Sequence, residues 1–279
     1  KGILMAGERL YSEFRDDLGT DWRVSIYDTN AAWNSANATS FVLGSEGFVL
    51  KYSGDNEQQH QPIIPSTVEF TLYEEVAAHT QTLDLLYSFD EGRLLLEVYR
   101  DPDGDNTIYW RGVILAEQVE RADEPFPTAV QLIASDDLGN LKEQDFSRSL
   151  APTGGTGTAL GDIVRCLNVA RVADLYNSGE AFVRYINDTE LYAASDDTGP
   201  LNSIIVSVPQ RMDDDGNGEP YNCYEILESF ATCFNARVFQ AEGVFWFWPI
   251  NVHQRVADAE AISTSVKQYD KDRASVTWG

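Results

Sequence analysis

Residues 14–27 read FRDDLGTDWRVSIY, and this stretch decides how the first half of the chain is interpreted. The segment Asp16–Thr20 is rich in residues that favour turns. Trp22, Val24 and Ile26 then alternate with more polar residues, as they do in a strand that buries one face. The stretch therefore predicts a turn followed by a half-buried β-strand.

Similar short apolar runs continue as far as residue 135. They are Phe41–Leu43, Phe48–Tyr52, Val68–Leu72, Arg93–Arg100, Thr107–Leu115 and Ala129–Ala134. The first two runs flank Gly44–Gly47, and this spacing predicts a hairpin. Short strands separated by turns are typical of a barrel or a sandwich.

The composition changes after residue 135. Ala151–Gly157 contains one proline and three glycines, and it predicts a linker. Apolar residues at helical spacing follow the linker and predict an amphipathic helix over 158–173, capped by Thr158.

A second helix is predicted over 222–235. Asn222 is followed three residues later by Glu225, which is a capping-box pattern. Two strand-like runs come next, Ala236–Gln240 and Val244–Trp248, and they predict a β-hairpin.

These elements together define the expected fold class and domains. The fold is expected to be α+β and β-rich, with β-barrel or sandwich domains and two short amphipathic helices packed on sheets. We expect a β-rich, barrel-like domain over 1–148 and an α+β domain over 149–279.

The chain is strongly acidic, with 45 acidic and 20 basic residues and a formal net charge of −25. A nucleic-acid-binding surface needs a basic face, and anionic lipid attracts basic segments. We therefore expect neither specific nucleic-acid binding nor docking on lipid. No apolar run approaches the length of a membrane-spanning helix, so stable membrane insertion is not expected. The chain starts without a methionine and ends in a strand-like run, and we expect it to be a segment of a longer protein.

One acidic turn has partial calcium-loop spacing. Asp213, Asp215 and Asn217 stand at positions 1, 3 and 5 of such a loop, but position 12 is Tyr224, where a bidentate glutamate is required. A solvated acidic turn fits the pattern better, and a calcium site is the weaker alternative. No cofactor is predicted.

No sequence motif points to catalysis. The chain contains no HExxH, no GxSxG and no Cys/His signature, so no catalytic residue is predicted and the chain is not expected to be an enzyme. The three cysteines have no metal-binding spacing and are expected to be reduced core residues. They are Cys166, Cys223 and Cys233.

The aromatic run Phe245–Trp248 has two alternative interpretations. In a strand, Trp246 and Trp248 share one face, and they could stack on a sugar or be buried in an interior or an interface. The interior or interface interpretation is the simpler one. We take Trp246, Trp248 and Trp110 as interface candidates.

Several of these segments, in this order, resemble the tail hub (baseplate hub) proteins of tailed bacteriophages. They are Phe14–Tyr27, Ile64–Leu72, Ile108–Ile114, Glu124–Pro127, Val130–Lys142, Ala159–Leu167 and Cys223–Trp248. The segment Val130–Lys142 is similar to the family pattern VxLxAxDGLxxLK. Asp137 stands where that pattern has glycine, a departure that concerns the local turn.

The resemblance implies a structural virion protein at the tail tip. Such a hub is usually a homotrimer that joins the tail tube to a central spike or fibre beside distal tail proteins. It is assembled in the cytoplasm of the bacterial host and resides in the virion. An acidic surface facing a conduit would let DNA pass without adhesion.

Two other functions stay open on the sequence alone. The first is a carbohydrate-binding or adhesion module that uses the tryptophans and a calcium-holding loop. The second is a cell-wall hydrolase that uses a pair of carboxylates, since 45 acidic residues guarantee some close pairs.

Overall fold

The structure is a computed structural model of the 279-residue chain. It describes residues 7–29, 38–54, 61–76, 86, 92–104, 107–122, 124–146, 157–177, 179–186, 201, 204–206, 221–250, 266–272 and 275–276.

The chain forms two compact units. Unit 1 comprises residues 1–53, 65–137 and 240–243, and unit 2 comprises residues 54–64, 138–239 and 244–279. The domain boundary expected at 148/149 falls in residues 147–156, which lie outside the described residues, and it stays a prediction.

Unit 1 is built on one sheet. Its strands are β1 (Gly7–Arg15), β2 (Asp21–Asp28), β3 (Thr39–Ser40), β4 (Val42–Tyr52), β6 (Ser66–Glu74), β7 (Leu94–Arg100), β8 (Thr107–Ile114), β9 (Glu120–Arg121) and β10 (Thr128–Ser135). The order across the sheet is β3-β1-β2-β7-β8-β10-β6-β4, and β9 pairs with β10. The turn and strand predicted from residues 14–27 are part of the antiparallel β1–β2 pair, in which Phe14 lies opposite Trp22.

The sheet of unit 1 curls around an apolar core. One face of β2 contributes Val24 and Ile26, and Val68, Phe70 and Leu72 of β6 face the same core. Phe14 of β1 reaches Phe48 of β4, with ring centroids 6.2 Å apart. Among the described residues, β1 and β4 share no ladder that closes the sheet into a barrel, and the curled sheet is sandwich-like.

The hairpin predicted at Gly44–Gly47 is wrong. Both flanking runs belong to the single strand β4, and both pair with the same strand, β6. Leu43 pairs with Leu72 and Phe48 with Phe70, so four residues of β4 stand opposite Thr71 alone. The glycines form a bulge instead of a turn because the residues on both sides are drawn into the same core.

Unit 2 contains a mixed six-stranded sheet. Its strands are β5 (Ile63–Ile64), β12 (Val183–Ile186), β14 (Ala236–Ala241), β15 (Val244–Pro249), β16 (Val266–Tyr269) and β17 (Ser275–Val276). The order across the sheet is β17-β16-β12-β15-β14-β5. A separate two-stranded sheet pairs β11 (Gly157–Thr158) with β13 (Ile205–Val206). The β14–β15 pair is the predicted hairpin, and its turn contains Glu242 and Gly243 at positive φ.

Both predicted α-helices are found among the described residues. Helix α1 (Ala159–Asn168) starts at Thr158, whose hydroxyl accepts a hydrogen bond from the Gly161 amide. This helix is shorter than the predicted helix over 158–173. The backbone is extended at Ala170, and a 3₁₀ turn over Arg171–Leu175 follows. Helix α2 (Cys223–Cys233) carries the predicted capping box. The two helices pack against each other, and α2 also packs on β5.

The observed fold class is therefore the predicted one, a β-rich α+β fold with two helices packed against mixed sheets. Among the described residues, no helix has the length and apolar character needed to cross a bilayer.

Candidate functional site

Trp110, one of the three interface candidates, lies in the core of unit 1. Its side chain is 0% exposed, and its indole Nε1 donates a hydrogen bond of 2.9 Å to Ser66 Oγ. The same serine hydroxyl donates to Asp136 Oδ2 at 2.7 Å, and so does the Ser66 amide. The Trp110 side chain thus makes its hydrogen bond within unit 1.

Trp246 and Trp248 lie side by side on β15, as their spacing predicts. Their ring centroids are 5.4 Å apart, and the Arg184 guanidinium sits 5.5 Å from the Trp246 ring centroid. Trp246 is 7% exposed, and Trp248 is more open. On the opposite face Phe245 packs edge-on against Phe182. The strand is thus largely buried on both faces within unit 2, and the interface role of the tryptophans stays a prediction.

The calcium candidates Asp213, Asp215 and Asn217 lie outside the described residues, as do the three histidines. In the part of the chain that the structure describes, no three His, Cys, Asp or Glu side chains come together in a way that could hold a metal ion.

A buried polar network crosses unit 1 on the face of β7 and β8 that points away from the core. Arg111 Nε donates to Glu97 Oε1 at 2.8 Å, and both side chains are almost fully buried. Tyr99 donates its hydroxyl proton to Glu97 and lies 3.0 Å from the hydroxyl of Tyr27. Burial, followed by the charge of Glu97, raises the pKa of Tyr27 and of Tyr99 well above the ordinary value. The network is internally satisfied, as buried polar groups must be.

The corner after β10 (Thr128–Ser135) carries the segment that resembles the hub pattern. Asp136 is fully buried, and its amide donates to the Ser66 carbonyl at 3.0 Å. Asp137, the next residue, is buried and has a φ of 67°, in the left-handed region. An L-residue other than glycine seldom adopts this conformation, although aspartate tolerates it better than most.

The described surface best suited to contact another molecule is the outer face of β4 and β6, which we call the outer β4–β6 surface. Val49 pairs with Glu69 across the two strands, and Val42 pairs with Tyr73. Cross-strand partners share a face, so these four side chains lie on the side away from the core. Both valines are exposed.

The β4 bulge borders an open cavity of about 220 Å³ on this surface. Its lining consists of Gly44, Ser45, Glu46, Gly47, Val49, Glu69, Phe70, Thr71, Tyr73 and Gln131. Lys51 Nζ is 2.5 Å from Glu69 Oε2 beside it. Exposed apolar area next to hydroxyl, amide and carboxylate groups is the mixture found in protein interfaces.

Sequence reasoning missed this surface because it placed a hairpin turn at residues 44–47. The sequence did contain one signal. In a strand with strict alternation, Val42 and Val49 would lie on opposite faces, and a bulge at the glycines between them is what changes this alternation.

Comparison with known proteins adds one distant likeness. No protein-family model and no curated protein matches the chain. Among solved structures, the chain is similar to a 43 kDa tail protein of prophage MuSo2 from Shewanella oneidensis, at 11% identity and a TM-score of 0.32. The match covers 72% of this chain and 54% of that protein, so this chain spans about half of its length. At this level of similarity the likeness carries no inference about function.

Proposed function

We propose that the chain is a non-enzymatic structural protein of a bacteriophage tail, and specifically a tail-tip hub that joins the tail tube to a spike or fibre. The proposal includes a homotrimer, contacts with distal tail proteins, assembly in the bacterial host cytoplasm and residence in the virion. It rests on the sequence resemblance, on the fold and on the charge of the chain.

The observation that carries the proposal is the backbone at Asp137. The family pattern that Val130–Lys142 resembles has glycine at this position, and Asp137 has a φ of 67°. Glycine is the residue that adopts such a φ without steric cost. The segment Val130–Lys142 therefore resembles the family pattern in its residue types, and at position 137 it also has the backbone conformation that glycine favours.

The order of the elements gives further support. Residues 14–27 form a hairpin, 108–114 lie in β8, and 130–142 run from β10 into a 3₁₀ turn. The later segments, 159–167 and 223–248, form α1 and then α2 with its hairpin. These five segments thus coincide with elements of secondary structure, whereas Glu124–Pro127 lies between β9 and β10. The charge of −25 suits a conduit past which DNA slides, because like charges repel.

The test is the oligomeric state of the purified chain and its change on substitution. We expect mass photometry to show a trimer of about 93 kDa, three times the 31.1 kDa chain. Val49→Lys on the outer β4–β6 surface should reduce the trimer, because a charge buried at an interface is costly. Leu18→Lys, at the tip of the β1–β2 turn where Leu18 is 92% exposed, is the matched control.

A chain that stays monomeric over a wide range of concentration and salt, and that is missing from purified virions, would overturn the proposal. A trimer that neither substitution affects would place the interface elsewhere on the chain and would leave the hub assignment standing.

A further inference from the structure

The cavity at the bulge of β4 has the size of a site for one small ring. Its volume is about 220 Å³, and it is open to solvent. A cavity of about 150 Å³ can hold benzene, whereas sites for drug-sized ligands start at about 300 Å³. The cavity therefore has room for a single six-membered ring that carries short substituents.

The bulge itself keeps this space open. Residues 44–47 of β4 stand opposite Thr71 alone, so backbone groups of the bulge lack partners in the ladder with β6. A Cβ placed on Gly44 would lie 3.4 Å from Thr71 Cβ and 3.8 Å from Cε2 of Tyr73. Thr71 and the ring of Tyr73 thus lie within contact distance of the position that a side chain at residue 44 would occupy, and glycine leaves that position empty.

The residues that line the cavity have the chemistry that a polyhydroxylated ligand needs. Ser45, Thr71 and Tyr73 carry hydroxyl groups, and Gln131 carries an amide. Hydroxyl and amide groups both donate and accept hydrogen bonds, as the hydroxyls of a sugar do. Val49 adds apolar area against which the C–H groups of a ring can pack.

The charges around the cavity disfavour ionic ligands. None of the described residues that line it is a lysine or an arginine, and the net charge of −25 repels anions such as phosphate. Lys51 balances the charge of Glu69, because its Nζ lies 2.5 Å from Glu69 Oε2. Glu46 is then the remaining lining carboxylate, and a single carboxylate is a poor site for a divalent cation. A neutral ligand rich in hydroxyls fits this lining best.

We propose that the cavity at the β4 bulge binds one pyranose ring of a saccharide. Ser45, Thr71 and Gln131 supply hydrogen bonds to the sugar hydroxyls, and Val49 contacts the ring carbons. The proposal does not depend on the function proposed above, and its readout is ligand binding instead of oligomeric state, so either can fail alone. A saccharide needs the cavity open, so binding by a trimer would mean that the contact between copies lies outside the cavity.

The experiment measures binding of free monosaccharides to the full chain by saturation-transfer difference NMR. The probes are glucose, galactose and N-acetylglucosamine, each titrated alone. We expect at least one of them to bind saturably with a dissociation constant in the millimolar range, because a single ring offers few atoms for contact.

A matched pair of substitutions on β6 locates the site. Thr71→Val replaces a lining hydroxyl by a methyl group and should weaken binding about fivefold or more. Thr67→Val makes the same change on the same strand and the same face but outside the lining, and it should leave the affinity unchanged. Gln131→Ala should also weaken binding, and since Gln131 is exposed, this variant keeps the core intact.

Three results would overturn the proposal. The first is the absence of saturable binding of every monosaccharide up to about 100 mM, far above the millimolar range expected for one ring. The second is binding that Thr71→Val and Gln131→Ala leave unchanged, or that Thr67→Val weakens equally. The third is saturable binding of methylammonium, lost in Glu46→Gln, without binding of any sugar, since this would make the cavity a cation site.

Discussion

Asp137 adopts a backbone angle that most residues other than glycine avoid. Its φ of 67° costs about 1 kcal/mol for a residue with a Cβ, and the chain accepts this cost at a buried corner. The neighbouring Asp136 holds the corner in place through its bonds to Ser66. The corner thus imposes the angle on whichever residue stands at 137.

The first prediction compares two substitutions at this residue. Asp137→Gly and Asp137→Ala both remove the carboxylate, but only alanine keeps the Cβ that the left-handed conformation disfavours. We expect the alanine variant to be less stable than the glycine variant by about 1 kcal/mol in urea unfolding. Equal stability of the two would show that the backbone relaxes out of the left-handed region.

The second prediction concerns Tyr27 and Tyr99, whose pKa values burial raises above 10. Above about pH 10 these tyrosines ionise in the unfolded chain but stay protonated in the folded one. The unfolded state then binds fewer protons, so the free energy of unfolding should fall as the pH rises, by up to about 1.4 kcal/mol per pH unit for each tyrosine.

The variant with both Tyr27→Phe and Tyr99→Phe should lose this steeper fall, and its pH dependence between pH 7 and 9 should match that of the unchanged chain. Urea unfolding at a series of pH values measures both curves. Parallel curves from pH 10 to 11 would contradict the account of these buried hydroxyls.

At the scale of a single element, β4 is the most informative strand. The strand continues through residues 44–47, for which the local sequence predicts a turn, because Leu43 and Phe48 pair with the same partner strand. The bulge requires a positive φ of 64° at Gly47, and it creates the cavity on the outer β4–β6 surface. The element therefore couples core packing on one face to a contact surface on the other.

The third prediction tests this bulge. A Cβ added at Gly47 would lie 2.7 Å from the Phe14 ring, in addition to the strain of the positive φ. We expect Gly47→Ala to lower the free energy of unfolding by at least about 2 kcal/mol. Gly139→Ala is the control, since a Cβ there meets nothing within 4 Å. If thermal unfolding gave the same loss for both variants, the close approach of Phe14 would be disproved.

For the molecule as a whole, the dominant property is its charge of −25. Like charges on one compact chain repel, and salt screens that repulsion over a length of about 8–10 Å at physiological strength. The exposed ion pair of Arg15 with Asp21 contributes little. The pairs of Arg9 and Arg93 with Asp28 and of Arg111 with Glu97 have a buried carboxylate, so salt screens them less than it screens the surface charges.

The fourth prediction follows from this balance. Raising sodium chloride from about 20 to about 300 mM should raise the melting temperature by several degrees, because less repulsion opposes the folded state. Chloride is the suitable salt, since sulfate would also strengthen apolar burial. A melting temperature that falls with added chloride would mean that specific ion pairs outweigh the net charge.

The sequence alone determined the features that depend on neighbours along the chain. Alternation at Trp22–Ile26 predicted a strand, the pair of Asn222 and Glu225 predicted the start of α2, and the run after it predicted the hairpin. These predictions are confirmed because capping, turn formation and amphipathic alternation are local interactions. The β-rich α+β class follows from their sum.

The tertiary structure alone decided the features that depend on contacts between distant segments. These include the continuity of β4 through its bulge and the burial of Trp110 against Ser66. Each feature depends on which strand or helix lies beside it. The local pattern of apolar residues does not specify that neighbour, because the same pattern fits several possible partners. The candidate surface could therefore not be found until the order and the register of the strands were known.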